Sequence, residues 1–243
     1  MKRDIAALLE STRAGLKAAA DPEFEAGLRW FFKEPVKPYG VRTPRVRELA
    51  RLAYRELKLW PIADRDRFVD QLWKSGMLEE GVLVSHLYRR FAKSCTEREF
   101  AMFEQWIDRY VTNWSNCDGV STWLIAACIQ NRPGLADRLA SWTKSKNRWK
   151  RRSAAVSLIQ EAKRGRQTET IFHICDLLLG DSDDMVQKGV GWLLKETYPK
   201  KQREVLDFLD PWRTRAPRLV LRLAAEKMKP GDRRWLLQRA KGQ

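Results

Sequence analysis

The sequence has few of the residues from which metal and nucleophile sites are usually built. It holds two histidines, His86 and His173, and four cysteines, Cys95, Cys117, Cys128 and Cys175, with no Cys-x-x-Cys pair among them. That spacing argues against a zinc site or a disulfide framework, so the thiols are expected to be reduced, buried and structural, with no metal bound. Phosphate-cradling loops are missing as well. The chain has no Gly-x-Gly-x-x-Gly, no glycine-rich loop ending in Lys-Ser/Thr and no Gly-x-Ser-x-Gly, which argues against a nucleotide cofactor and against serine hydrolysis. No cofactor is expected. No run of eighteen apolar residues occurs, and the opening Met-Lys-Arg-Asp-Ile lacks the apolar core of a signal peptide, so a cytoplasmic protein that does not span a membrane is expected. Acids are scarce relative to bases: 31 Asp plus Glu face 47 Lys plus Arg, a net charge of +16. Such an excess calls for an anionic partner. Nucleic acid leads, because neutralising phosphates releases counterions, and an anionic membrane surface competes.

What the chain does have is helical periodicity. Apolar residues recur at three- and four-residue spacing, no stretch sustains two-residue alternation, and the fold class read from this is all-α. About fourteen helices are expected, at 4–19, 22–32, 45–59, 66–74, 80–92, 97–110, 118–129, 135–142, 148–162, 168–179, 184–198, 203–209, 217–228 and 232–240. Thr43-Pro44 reads as an N-cap with proline at the first helical position. A weak repeat of 36 carries Gly119-Val-Ser121 onto Ala155-Val-Ser157 and then onto Gly191-Trp-Leu193, and carries Arg152 onto Lys188. Stacked helical hairpins with that period imply a superhelical, HEAT-like stack with a concave basic face, formed as one domain over 1–243. Equivalent helices near 114–122, 150–158 and 186–194 would then bring Trp114, Asp118, Arg152 and Trp192 to one side.

Trp114 and Asp118 are four apart, which puts a flat π-surface and a carboxylate on one face of a helix. Between them and Trp192 lies a basic segment, with Lys144, Lys146, Arg148, Lys150, Arg151 and Arg152 in nine residues and no acid among them. Six like charges repel unless an anion sits there, and Asn147 as a helix cap would add a positive helix end. The other account is a solvated charge run. Arg42, Arg45 and Arg47 stand in the same way near the start of the helix at Thr43, where phosphate binding and an ordinary surface helix both remain open. A second cluster, Arg213, Arg215, Arg218 and Arg222, could extend the footprint. Among the eleven tryptophans, Trp30, Trp73, Trp106 and Trp123 sit on apolar stripes and are expected in the core. Trp192 is flanked by Gly189 and Gly191, each costing a helix interior about 1 kcal/mol against alanine. Close helix packing or close approach of a ligand would account for that, packing being the stronger explanation.

Four blocks, Tyr39-Gly-Val-Arg-Thr-Pro44, Asn113-Trp114 with Asp118, Asn147-Arg-Trp-Lys-Arg-Arg152 and Gln187-Lys-Gly-Val-Gly-Trp192, resemble in order and spacing the AlkD family of DNA alkylation-repair glycosylases. The resemblance implies a HEAT-like stack that excises positively charged alkylated purines, such as 3-methyladenine and 7-methylguanine, from double-stranded DNA in base-excision repair. It implies that Asp118 is the catalytic carboxylate, that Trp114 and Trp192 cradle the damaged nucleotide, and that Arg152 binds a backbone phosphate. Thr43 resembles a further DNA-backbone contact, and Arg42, Arg47, Arg148, Lys150, Arg151 and Lys188 complete the expected DNA-binding set. The chain departs from the family pattern at Ser115, where an acid is common, and at Arg42, where a glutamine is common. A non-catalytic HEAT-like scaffold that recognises DNA structure is the alternative. A helical-repeat adaptor for proteins is a further one, and a monomer is expected in any case.

Overall fold

The computed structural model describes residues 4–238. The expected last helix, 232–240, reaches past them at its end. Among the described residues the protein is all-α, and the nearest approach to a sheet is an isolated parallel bridge between Lys37 and Met77.

The helices are α1 (Ile5–Ala18), α2 (Pro22–Phe31), α3 (Thr43–Leu57), α4 (Ile62–Lys74), α5 (Leu78–Tyr88) and α6 (Glu97–Arg109). They continue as α7 (Trp114–Gly119), a π-helical segment over Val120–Ile125, α8 (Ala126–Asn131), a 3-10 segment over Pro133–Arg138 and α9 (Leu139–Trp142). Then follow α10 (Arg148–Val156), α11 (Ile159–Arg164), α12 (Thr168–Leu178), α13 (Asp184–Thr197), α14 (Gln202–Leu209), α15 (Arg218–Ala224) and α16 (Pro230–Leu237). Local chemistry sets many of the starts. The side chains of Asp4, Asp21, Asn113, Asn147 and Asp183 each accept a backbone N–H of the first turn that no carbonyl can reach.

The chain forms two compact units that interleave in sequence: residues 1–94 with 109–120, and residues 95–108 with 121–243. In the first, α5 is the central helix. It packs on α3, α4 and α7, and every one of its residues except Val82 is buried. Its Leu83 and Leu87, with Phe68 and Leu72 of α4, have no exposed surface, and burying each contributes roughly 1.5–3 kcal/mol. In the second, α13 is the hub and packs on α10, α11 and α15. Helices α10 and α13 begin 36 positions apart, at Arg148 and Asp184, and lie against each other, in keeping with the sequence repeat.

Several boundaries differ from expectation. Thr43 is the first helical residue of α3 and Arg42 takes the cap position, with no side chain capping the turn. The helix expected over 148–162 is two, because the chain tightens at Leu158, whose N–H donates to Ala155 O at 3.1 Å. The helix expected over 217–228 ends at Ala224 and tightens into a 3-10 turn over Ala225–Lys227. Trp73 and Trp106 are buried as expected, but Trp30 is 88% exposed: it sits on the solvent side of α2, whose partly buried residues are Phe24, Glu25 and Leu28. All four cysteines are free thiols and buried.

Candidate functional site

Asn113 opens α7 by accepting the N–H of Asn116 at 3.0 Å. The next residue is Trp114 and the fifth is Asp118, so the two stand one helical turn apart, each half-buried. Trp114 is held by aromatic contacts within its own unit. It stacks on Phe32 with ring centroids 5.1 Å apart and planes 14° from parallel, and meets Phe31 edge-on at 5.9 Å. Phe32, Val36 and Leu78 form the buried cluster beneath it. The floor of α7 is α5, approached through two glycines. A methyl group at Gly81 would lie 2.5 Å from Asn116 Nδ2, and one at Gly119 would lie 2.8 Å from Ser85 Oγ.

The segment from Tyr39 to Thr43 is also held by α5, and what holds it is not legible in the sequence. Glu79 of α5 is buried and its carboxylate accepts three successive backbone N–H groups, from Tyr39 at 2.8 Å and from Gly40 and Val41 at 2.9 Å. Its neighbour Glu80, wholly buried, accepts the Tyr39 hydroxyl at 2.7 Å and the Arg13 guanidinium at 3.1 Å. Burial, followed by the bond to Glu80, raises the Tyr39 phenol above its usual range. Gly40 has φ +80, and a side chain there would meet Asp21 O at 2.4 Å, so this turn requires glycine. The segment delivers Arg42, Thr43 and Arg47 to the surface, all exposed. Arg42 reaches Asp21 at 3.5 Å and lies over the Phe24 ring at 4.7 Å, whereas Arg47 has no acidic partner among the described residues.

In the second unit, Arg152 is buried against α13, where its Nη1 donates to Met185 O at 2.5 Å. Gly189 makes room for it: a methyl group there would lie 3.3 Å from Arg152 Cγ. At Gly191 a methyl group would lie 2.7 Å from Leu223 Cβ. Both glycines therefore serve helix packing. Trp192, three residues after Gly189, is half-buried on the same helix.

The basic segment differs from expectation. An external anion is not needed to hold its charges together, because acids from other helices and turns reach several of them. Lys150 pairs with Asp108 at 2.7 Å and Glu104 at 3.0 Å, Arg151 pairs with Asp181 at 2.7 Å, and Arg148 reaches Asp183 at 3.4 Å. Arg151 also donates to Ser145 O at 2.9 Å, tying the loop to its helix. Lys144 and Lys146 stay exposed with no acid against them among the described residues, and Lys188 pairs along its own helix with Asp184 at 3.1 Å. In the C-terminal cluster, Arg215 lies 3.9 Å over Trp212 and Arg213 lies 4.4 Å over Trp235.

An all-α chain of paired helices, strongly basic, with a tryptophan and a carboxylate one turn apart on a capped helix, is a helical-repeat protein suited to a polyanion. Residues 12–228 match the family of DNA alkylation repair enzymes, and the chain belongs to that family. The fold is shared with a predicted DNA alkylation repair enzyme from Enterococcus faecalis, at TM-score 0.78 and 14% identity over 87% of this chain and 97% of that one. It is shared more loosely with smu.31 from Streptococcus mutans UA159, at TM-score 0.59 and 16% identity over 76% and 92% of the two chains. No curated protein matches the chain. Among the described residues no helix is long and apolar enough to cross a membrane.

Proposed function

We propose that this protein is a monofunctional DNA glycosylase that hydrolyses the N-glycosidic bond of positively charged alkylated purines, 3-methyladenine and 7-methylguanine among them, in duplex DNA. The observation that supports this is α7 itself, on which Trp114 and Asp118 share one face of a helix in a chain of the DNA alkylation repair family.

The chemistry suits so small a set of residues. An N-alkylated purine already carries positive charge and leaves without a general acid, so one carboxylate suffices where ordinary glycoside hydrolysis uses two. As the bond lengthens, charge moves onto the sugar as an oxocarbenium ion, and Asp118 stabilises it and orients the attacking water. A carboxylate ~4 Å from that cation contributes roughly 4 kcal/mol at an effective dielectric of about 20, on the order of a thousandfold in rate. The faces of Trp114 and Trp192 each add about 0.5–2 kcal/mol to binding a cationic base. Thr43, Arg42 and Arg47 supply contacts to the DNA backbone, while Arg148, Lys150, Arg151, Arg152 and Lys188, held by acids or a carbonyl of their own unit, add more to the local positive field than to direct phosphate contact. The protein acts as a monomer and without a cofactor.

The test is release of free base from methylated duplex DNA, resolved by chromatography, for the wild type and Asp118→Asn. Release should fall by about a thousandfold in the variant while DNA affinity changes little. If neither protein releases base yet both bind DNA with a steep salt dependence, the protein is a binding scaffold and not an enzyme.

A further inference from the structure

The end of α2 carries an exposed aromatic pair. Trp30 is 88% and Phe31 60% exposed, whereas the next residue, Phe32, is buried. Leaving side chains of this size in water forgoes the stabilisation that burying them would give. Phe31 is nevertheless held in place: its ring stands edge-on to Phe32 at 5.8 Å and to Trp114 at 5.9 Å. Phe32 takes the stacking contact with Trp114, so Phe31 continues the Trp114 surface outward into solvent.

The charge of the chain that follows it selects the occupant. From residue 33 to residue 47 stand Lys33, Lys37, Arg42, Arg45 and Arg47 against one acid, Glu34, which is buried. Arg42 and Arg45 lean on Asp21 and Glu48, while Lys37 and Arg47 have no acid against them among the described residues. An excess of this sign repels a second copy of the chain and attracts a polyanion. Exposed aromatic rings followed in the chain by a run of cations suit unpaired bases, which stack on rings while the phosphates between them meet cations.

We propose that Phe31, with Trp30 beside it, is a stacking platform for an unpaired nucleobase, so that the protein favours duplex DNA in which a base has lost its partner. Phe31 is a specificity-determining residue and takes no part in bond cleavage. The platform rests on the reading of α7 as facing DNA.

The experiment uses the full chain and two short duplexes, one fully paired and one with an abasic-site analogue opposite 2-aminopurine. Affinity is read by anisotropy at fixed salt, and stacking by quenching of 2-aminopurine emission. The wild type should prefer the abasic duplex and quench its probe. Phe31→Ala should weaken binding to that duplex by about tenfold, the contribution of roughly one stacked base, leave the paired duplex within about twofold and leave the probe bright. Phe31→Trp should restore both. Equal loss on both duplexes, no loss on either, no preference by the wild type, or failure of tryptophan to restore stacking overturns the platform. So does loss of binding to phosphatidylserine vesicles with DNA binding intact, which assigns the pair to a membrane surface. Neither duplex contains an alkylated base, so the platform stands if the chain proves not to release base. If base is released and Phe31→Ala keeps the selectivity, the platform alone falls.

Discussion

At the scale of single residues, polar groups buried without an obvious motif shape the first unit. Glu79 and Glu80 look in the sequence like the charged first turn of a surface helix, and only the tertiary fold shows that one clamps a turn and the other a tyrosine and an arginine. The single turn between Trp114 and Asp118 is legible because their spacing is local, and a local spacing survives whatever the rest of the chain does. Trp30 departs from its expected core position for a related reason: periodicity locates an apolar stripe but does not say whether a neighbour covers it. His86 is another buried polar group that periodicity misses. Burial, then the charges of Arg47, Arg89 and Arg90, press its pKa down to about 4, from 6.5. It is neutral in the fold and protonates more readily when unfolded, so its contribution is complete above about pH 6.5 and is lost as pH falls toward 4. Melting temperatures measured across that window should fall less steeply for His86→Gln than for the wild type. Parallel curves would show that His86 does not couple to folding.

At the scale of elements, the contact between α5 and α7 fixes where Trp114 and Asp118 stand. Helix positions came well from the apolar period, because a stripe that must be buried recurs every three to four residues. The start of α7 did not, since its first turn, Trp-Ser-Asn-Cys, carries no such stripe and is defined by the Asn113 cap. The π-helical segment over Val120–Ile125 was likewise invisible, because one extra residue in a turn leaves composition unchanged. The glycine contacts make the element testable. Gly81→Ala forces a methyl group to 2.5 Å from Asn116 Nδ2 and 2.7 Å from Trp73 Cζ3, an overpacking that costs about 1–3 kcal/mol. Urea denaturation should show that loss, while Gly27→Ala, on α2 with nothing within 4 Å, should be neutral or stabilising by up to about 1 kcal/mol. Equal effects at the two sites would mean that the approach of α5 to α7 is not tight.

At the scale of the whole molecule, the net charge of +16 is plain in the composition, but its division between paired and unpaired cations is not, because the acids that pair with the basic segment lie 30 to 46 positions away in sequence. The difference predicts two behaviours from one kind of substitution. Arg47→Ala should leave the melting temperature unchanged and reduce the salt slope of DNA binding by about one phosphate contact. Arg151→Ala removes the pair with Asp181 and the bond to Ser145 O, and should lower the melting temperature with the smaller effect on salt slope. Identical outcomes would mean that the ion pairs yield to DNA. The interleaving of the two units also bears on how the chain is made. Residues 95–108 belong with residues that follow 120, so α6 leaves the ribosome ahead of its partners, with Phe100, Phe103, Trp106 and Ile107 uncovered. At roughly 5–20 residues per second, Asn147, which bonds Ile107 O, emerges some 2–8 seconds later. During that interval the nascent chain presents a sticky aromatic face that a chaperone could shield.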